Sequence, residues 1–168
     1  MENQEQHEEQ ALERLFQQWY WLNGAVFVSR IDRTDTAPCA ESVLAESTAH
    51  ARWSSRLVDV LLDWLTRHID TVDERRLLQL TQVNGDLAVL GILSDLARSR
   101  RPHPKLDWLV QQCPVHEPEE IFFHLVARYQ VTARLTRADP HAVFRRWGYL
   151  CRADEVQFLT KKASSGGQ

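Results

Sequence analysis

The chain has 168 residues, of which 43% are hydrophobic and 26% charged, a globular balance that excludes a disordered polymer and fits one domain. Three cysteines at wide spacing exclude a disulfide framework, and no run of roughly 18 apolar residues is present to span a membrane. The net charge of -3 is unevenly spread: residues 1–20 hold five Glu and one Arg, whereas residues 98–168 hold twelve Arg or Lys against seven Asp or Glu.

In chain order, the start from Met1 to Phe16 is acidic where a secretory signal would be basic, which places the protein in the cytoplasm, or in a nucleus where there is one. A first helix is expected from about Glu8 to Leu22, because Leu12, Leu15, Phe16, Trp19 and Leu22 recur at three and four residues. Asn23-Gly24 supplies its stop. Val26, Phe27, Val28 and Ile31 fit either a continued helix or a short strand, and Asp32 to Pro38 reads as a loop. The strongest periodicity lies between Ser42 and His68. There Trp53, Leu57, Val60, Leu61, Trp64, Leu65 and His68 form one face, with Arg56, Asp59, Asp63 and Arg67 opposite. Ser42 to Ala51 belongs either to that helix or to a separate turn or two.

Thr71 and Glu74 have capping-box spacing ahead of Leu77, Leu78 and Leu80. Asn84-Gly85 interrupts, and Asp86 can cap a helix carrying Leu87, Leu90, Leu93 and Ala97. Ser99 to Pro104 is a break, since its two prolines deny backbone donors. Leu106, Leu109 and Val110 mark a short helix ending near Cys113-Pro114. A second long helix is expected from Glu119 to Arg137, with Phe122, Leu125, Val126, Tyr129 and Ala133 on one face. Acidic Glu119 and Glu120 at its start and basic Arg134 and Arg137 at its end suit the helix dipole. Asp139-Pro140 opens a short helix with Val143, Phe144 and Trp147 that stops at Gly148. Tyr149-Leu150 and Val156 to Thr160 can pair as a hairpin around Ala153-Asp154-Glu155.

The expected fold is therefore all-α. It is an irregular bundle of at least six helices over residues 1–160, with an optional sub-boundary near residues 99–104. A small C-terminal hairpin would give it a winged-helix-like end, and residues 161–168 read as a flexible tail. The segments Trp53–His68 and Phe122–Arg137 are expected to be its longest packing partners.

Chemistry is sparse. There is no P-loop, no dinucleotide-binding glycine fingerprint, no His-Glu-x-x-His and no Gly-x-Ser-x-Gly elbow. Cys113 and His116 form one tight pair of ligand-type residues, but His103, His124 and Cys151 are scattered, whereas structural zinc sites usually show two tight pairs. Asp59 and Asp63 alternate with Arg56 and Arg67 and read as a solvated, ion-paired face. No catalytic residue, metal or cofactor is assigned.

Two binding features stand out instead. Trp19, Trp53, Trp64 and Trp147 lie on apolar faces and read as core, but Tyr20-Trp21 turns away from Leu15 and Trp19 and is a candidate protein interface. The candidate nucleic-acid-binding residues are Arg98, Arg100, Arg101, Arg128, Arg134, Arg137, Arg145, Arg146, Lys161 and Lys162, because arginine donors match phosphate geometry. The competing reading of these residues is a solubilising surface. Two fragments, Glu74-Arg75-Arg76-Leu77-Leu78-Gln79-Leu80 and Leu106-Asp107-Trp108, resemble stretches of the small helical subunit of CRISPR surveillance complexes. That resemblance implies non-catalytic nucleic-acid binding; it covers a small share of the chain and assigns no family. The expectation is a non-catalytic module that contacts a nucleic-acid backbone without sequence preference, alone or as a subunit of a nucleoprotein complex. The alternative is an adaptor, inhibitor or immunity-type protein with an apolar or aromatic helix face, binding another protein or its own copy.

Overall fold

The computed structural model describes residues 2–26 and 38–161. The helix-or-strand alternative at Phe27 to Ile31, most of the Asp32 to Pro38 loop and Lys162 with the tail beyond it lie outside the described residues.

The architecture follows from one helix that is buried on every side. In α5 (Leu87–Arg100) all ten residues from Ala88 to Ala97 are buried, so other elements must surround it. Asp86 caps it by accepting from Val89 N. α3 (Ser55–His68) packs on one side with Leu57, Leu61, Leu62 and Leu65 fully buried, and its start is fixed by Ser54 accepting from Leu57 N. α6 (Pro104–Gln112) returns along another side after the Pro102-His103-Pro104 turn, with His103 as its cap. α2 (Ala40–His50) and α4 (Glu74–Asn84) pair with each other, and α1 (Glu2–Trp21) lies on α2 through Leu15 and Trp19.

The C-terminal part is drawn together by a small parallel ladder and is fixed to the frame by Arg52, which donates to the carbonyls of Ile121 and Phe122 at 3.0 and 2.8 Å. β1 (Glu120–Ile121) pairs with β2 (Tyr149–Leu150) in the register Glu120 with Tyr149 and Ile121 with Leu150. The pairing extends at both ends, as His116 N donates to Trp147 O and Phe122 N to Leu150 O. Gly148 makes the approach feasible: its φ is 86°, and a Cβ there would stand 1.9 Å from His116 O. Gly91 does the same inside α5, where a Cβ would stand 2.3 Å from the Trp147 ring.

Among the described residues ten α-helices dominate, as the all-α reading requires, and a short strand pair lies in the C-terminal part. Tyr149-Leu150 is extended as expected, but its partner is Glu120–Ile121, not Val156 to Thr160. The latter segment forms a single helical turn, α10 (Gln157–Thr160). The long helix expected over 119–137 is also corrected. Phe122 and Phe123 are both buried, with Phe122 edge-on to Phe123, Phe144 and Tyr149, so β2 draws this stretch into extended backbone. Tyr129, at φ -111° and ψ 128°, then separates α7 (His124–Arg128) from α8 (Gln130–Ala138). The longest helix is α1, with 20 residues, while α3 and α5 have 14 each. Two caps move as well. Asp73 caps α4, because Thr71 is taken up in a 3-10 turn, and His141, not Asp139, caps α9 (Ala142–Arg146).

Candidate binding surface

The arginines near the proline turn are held inside the fold. Arg98 donates to Asp95 at 2.9 Å and to Asp107 at 3.2 Å. Arg100 lies 3.7 Å from the Phe158 ring centre and donates to the carbonyls of Phe158 and Lys161. Arg101 donates to the carbonyls of Thr66 and Arg67 at 2.9 and 3.2 Å, at the negative end of the α3 dipole. Lys105 reaches the carbonyls of Asp70 and Val72 at 3.0 and 2.6 Å. These cations join α5 and α6 to the end of α3 and to α10, so binding a phosphate would compete with contacts that hold the fold.

The later basic residues divide. Arg128 pairs with Glu5 of α1, and Arg146 reaches Asp95 at 3.3 Å although its side chain is 58% exposed. Arg134, Arg137 and Arg145 are exposed and make no hydrogen bond or ion pair among the described residues. Lys161 is exposed at the end of the described chain, near Asp59, whose carboxyl is held above its ordinary pKa by burial. Arg145 and Arg146 sit in a five-residue helix followed by a strand and two short helical turns, so no hairpin stands beside them as a wing.

The exposed apolar residues concentrate where the expected long helix breaks. Leu125 is 52% exposed, Tyr129 61%, Val131 72% and Leu135 49%. In α8 Ala133 and Thr136 point inward, which turns Val131, Arg134 and Leu135 to solvent. Tyr20 and Trp21 are exposed at 39% and 38% and touch edge to face, on α1. The sequence reading put Tyr129 and Leu125 in a core stripe and overlooked Val131 and Leu135. The available signal was the apolar run Ile121-Phe122-Phe123, which breaks the helical period and resets the face of everything after it.

Beside α7 runs a groove of roughly 450 Å³, with Leu12, Trp53 and Leu125 at its base and Glu5, Glu9 and Arg128 around it. Trp53, expected in the core, is half-buried and stacks on His124 at 4.3 Å. Burial, and then the charge of Arg52, hold the His124 imidazole below its ordinary pKa.

Elsewhere the ligand-type and acidic side chains serve the fold. Burial pushes the Cys113 thiol up to about 12 and that of Cys151 higher still, which disfavours the thiolate. His116 stacks on Tyr149 at 4.4 Å and contacts Glu120 at 2.8 Å. A wider groove of roughly 630 Å³ between α3 and α10 contains Asp59, Asp63, Arg100 and Glu155. Asp59 there accepts from Phe158 N at 2.8 Å, and Asp63 pairs with Arg67. Among the described residues no group of three or more His, Cys, Asp or Glu is placed to hold a metal ion. No family model, curated protein or solved structure matches the chain. Among the described residues no helix is long and apolar enough to cross a membrane.

Proposed function

We propose that this is a non-catalytic binding module of the cytoplasm whose partner is a protein, held on the surface of α7 and α8. The observation that carries the reading is the exposure of Leu125, Tyr129, Val131 and Leu135 within one short stretch of chain. Apolar residues scattered singly over a surface need no explanation, but four in eleven consecutive residues, interleaved with arginines, have the composition of an interface. Each is exposed to water in the free chain and is stabilised only when a partner covers it. Tyr20 and Trp21 form a second, smaller candidate contact.

A nucleic-acid backbone is the second reading, favoured by the free guanidinium groups of Arg134, Arg137 and Arg145. The set is smaller than the sequence suggested, because Arg98, Arg100 and Arg101 are engaged within the fold. In a nucleoprotein assembly the module would then be a peripheral subunit touching few phosphates.

A photo-cross-linking amino acid at Val131, expressed in cells that make the protein, tests the first reading. Discrete protein adducts that vanish when Leu135 is also changed to Asp are expected. Absence of adducts, together with salt-sensitive binding of generic nucleic acid that is lost in Arg134→Glu/Arg137→Glu/Arg145→Glu, would transfer the function to the second reading.

A further inference from the structure

The groove beside α7 and the outer face of α8 have reciprocal chemistry and lie next to each other. The groove is lined by apolar Leu12, Trp53 and Leu125 and by acidic Glu5, Glu8 and Glu9, of which Glu5 pairs with Arg128 and Glu8 with His50. The α8 face offers Val131 and Leu135, one helical turn apart, flanked by the unpaired Arg134 and Arg137. What the groove would select in an occupant is a short amphipathic helix with two apolar anchors and basic flanks. α8 meets each requirement.

Resting on the protein-partner reading, we propose that the partner is a second copy of this chain, each copy seating its α8 in the α1–α7 groove of the other. A two-fold dimer needs knob and groove on the same surface of one subunit, so that both contacts form at once. Arg128 lines the groove and α8 begins at Gln130, so the two features adjoin in the chain as such a dimer requires. Charge supports the same pairing. Acidic α1 of one copy would face basic α8 of the other, and like-charged surfaces would be kept apart. Glu9 on one copy and the unpaired Arg134 and Arg137 on the other are the charges that then set the orientation of the dimer.

Sedimentation equilibrium of the full chain over roughly 1 to 100 µM tests this, a range that detects dissociation constants of ordinary weak homodimers. A mass near twice 19.5 kDa is expected at the upper end. Val131→Asp/Leu135→Asp should raise the dissociation constant at least tenfold while the circular dichroism spectrum is unchanged, because both side chains are exposed. A charge exchange adds a control that a merely misfolded variant cannot imitate. Arg134→Glu/Arg137→Glu gives an acidic knob, and Gln6→Arg/Glu9→Arg gives a basic rim without touching the Glu5–Arg128 pair. Each variant alone should be weakened, and a mixture of the two should recover the dimer, because both contacts of the mixed pair are again of opposite sign. A monomer at every concentration would overturn the proposal, as would a dimer indifferent to Val131→Asp/Leu135→Asp. Cross-linked adducts at Val131 to a different protein, with the pure chain monomeric, would keep the protein-partner reading and reject self-association.

Discussion

Asp95 is the residue on which most depends. Its carboxylate is 6% exposed and receives Trp147 Nε1 at 2.9 Å, Arg98 Nε at 2.9 Å and one Arg146 nitrogen at 3.3 Å. The arrangement ties α9 to the central helix, next to the hole that Gly91 leaves for the Trp147 ring. Asp95→Ala would strand a buried indole N–H and uncouple two guanidinium groups, at a cost of about 3 kcal/mol in chemical denaturation. Gly91→Ala should cost about 1–3 kcal/mol by overpacking against Trp147. His124 offers a pH test. Its folded pKa lies below the ordinary 6.5, so above that pH both folded and unfolded chains carry a neutral ring. Below 6.5 the unfolded chain takes up the proton first, and stability falls as pH drops toward the folded pKa. His124→Phe keeps a ring on Trp53 and removes the titration. The melting temperature should then fall less than in the parent between about pH 7.5 and 5.5. His141, also depressed by burial, retains its share of the loss. None of these roles is readable from spacing, since Asp95 and Trp147 are 52 residues apart.

At the scale of elements, legibility tracked how far a segment's conformation depends on its neighbours. α1, α3 and α5 carry long stripes, and periodicity is enough to reveal them, although α1 begins at Glu2 and not near Glu8, and Ser42 to Ala51 belongs to the separate helix α2. The stretch from 119 to 137 has an equally regular stripe on paper. It is overridden because β2 offers the backbone of Glu120 to Phe122 a ladder, and because Phe144 and Tyr149 offer Phe122 a place to pack. The candidate interface lies in that overridden stretch, which is why Val131 and Leu135 went unread while the arginines beside them did not. α10 is the opposite case, a single turn that cannot stand alone. It persists because Asp59 accepts from Phe158 N and Arg100 covers the Phe158 ring while binding its carbonyl. Arg100→Ala should accordingly speed hydrogen exchange at the amides of Leu159 and Lys161, with the protection of α5 retained. Uniform loss of protection through α5 would show that Arg100 supports the whole core.

At the scale of the whole molecule, the charge asymmetry of the sequence is largely folded onto itself. Arg128 meets Glu5, Arg101 meets Asp70, and Arg98 and Arg146 share Asp95. A net positive C-terminal stretch in sequence thus becomes a surface with few free cations, and a count of Arg and Lys overstates the number of phosphates it can reach. The consequence is numerical. If Arg134, Arg137 and Arg145 are the cations open to a polyanion, about three counterions are released on binding, and log affinity should fall against log salt with a slope of about -2.7 on duplex DNA. Between about 50 and 200 mM salt that slope amounts to roughly a 40-fold loss. Charge reversal at all three positions should flatten it toward zero. A slope of about -5 that persists when Arg146 and Lys161 are also neutralised would require Arg98, Arg100 and Arg101 to leave their carbonyl and carboxylate partners on binding. It would then come with loosened packing of α10 against α3, visible as faster exchange at Phe158. A shallow slope with the three free arginines as its source would instead mark nucleic-acid contact as an incidental property of a protein-binding face.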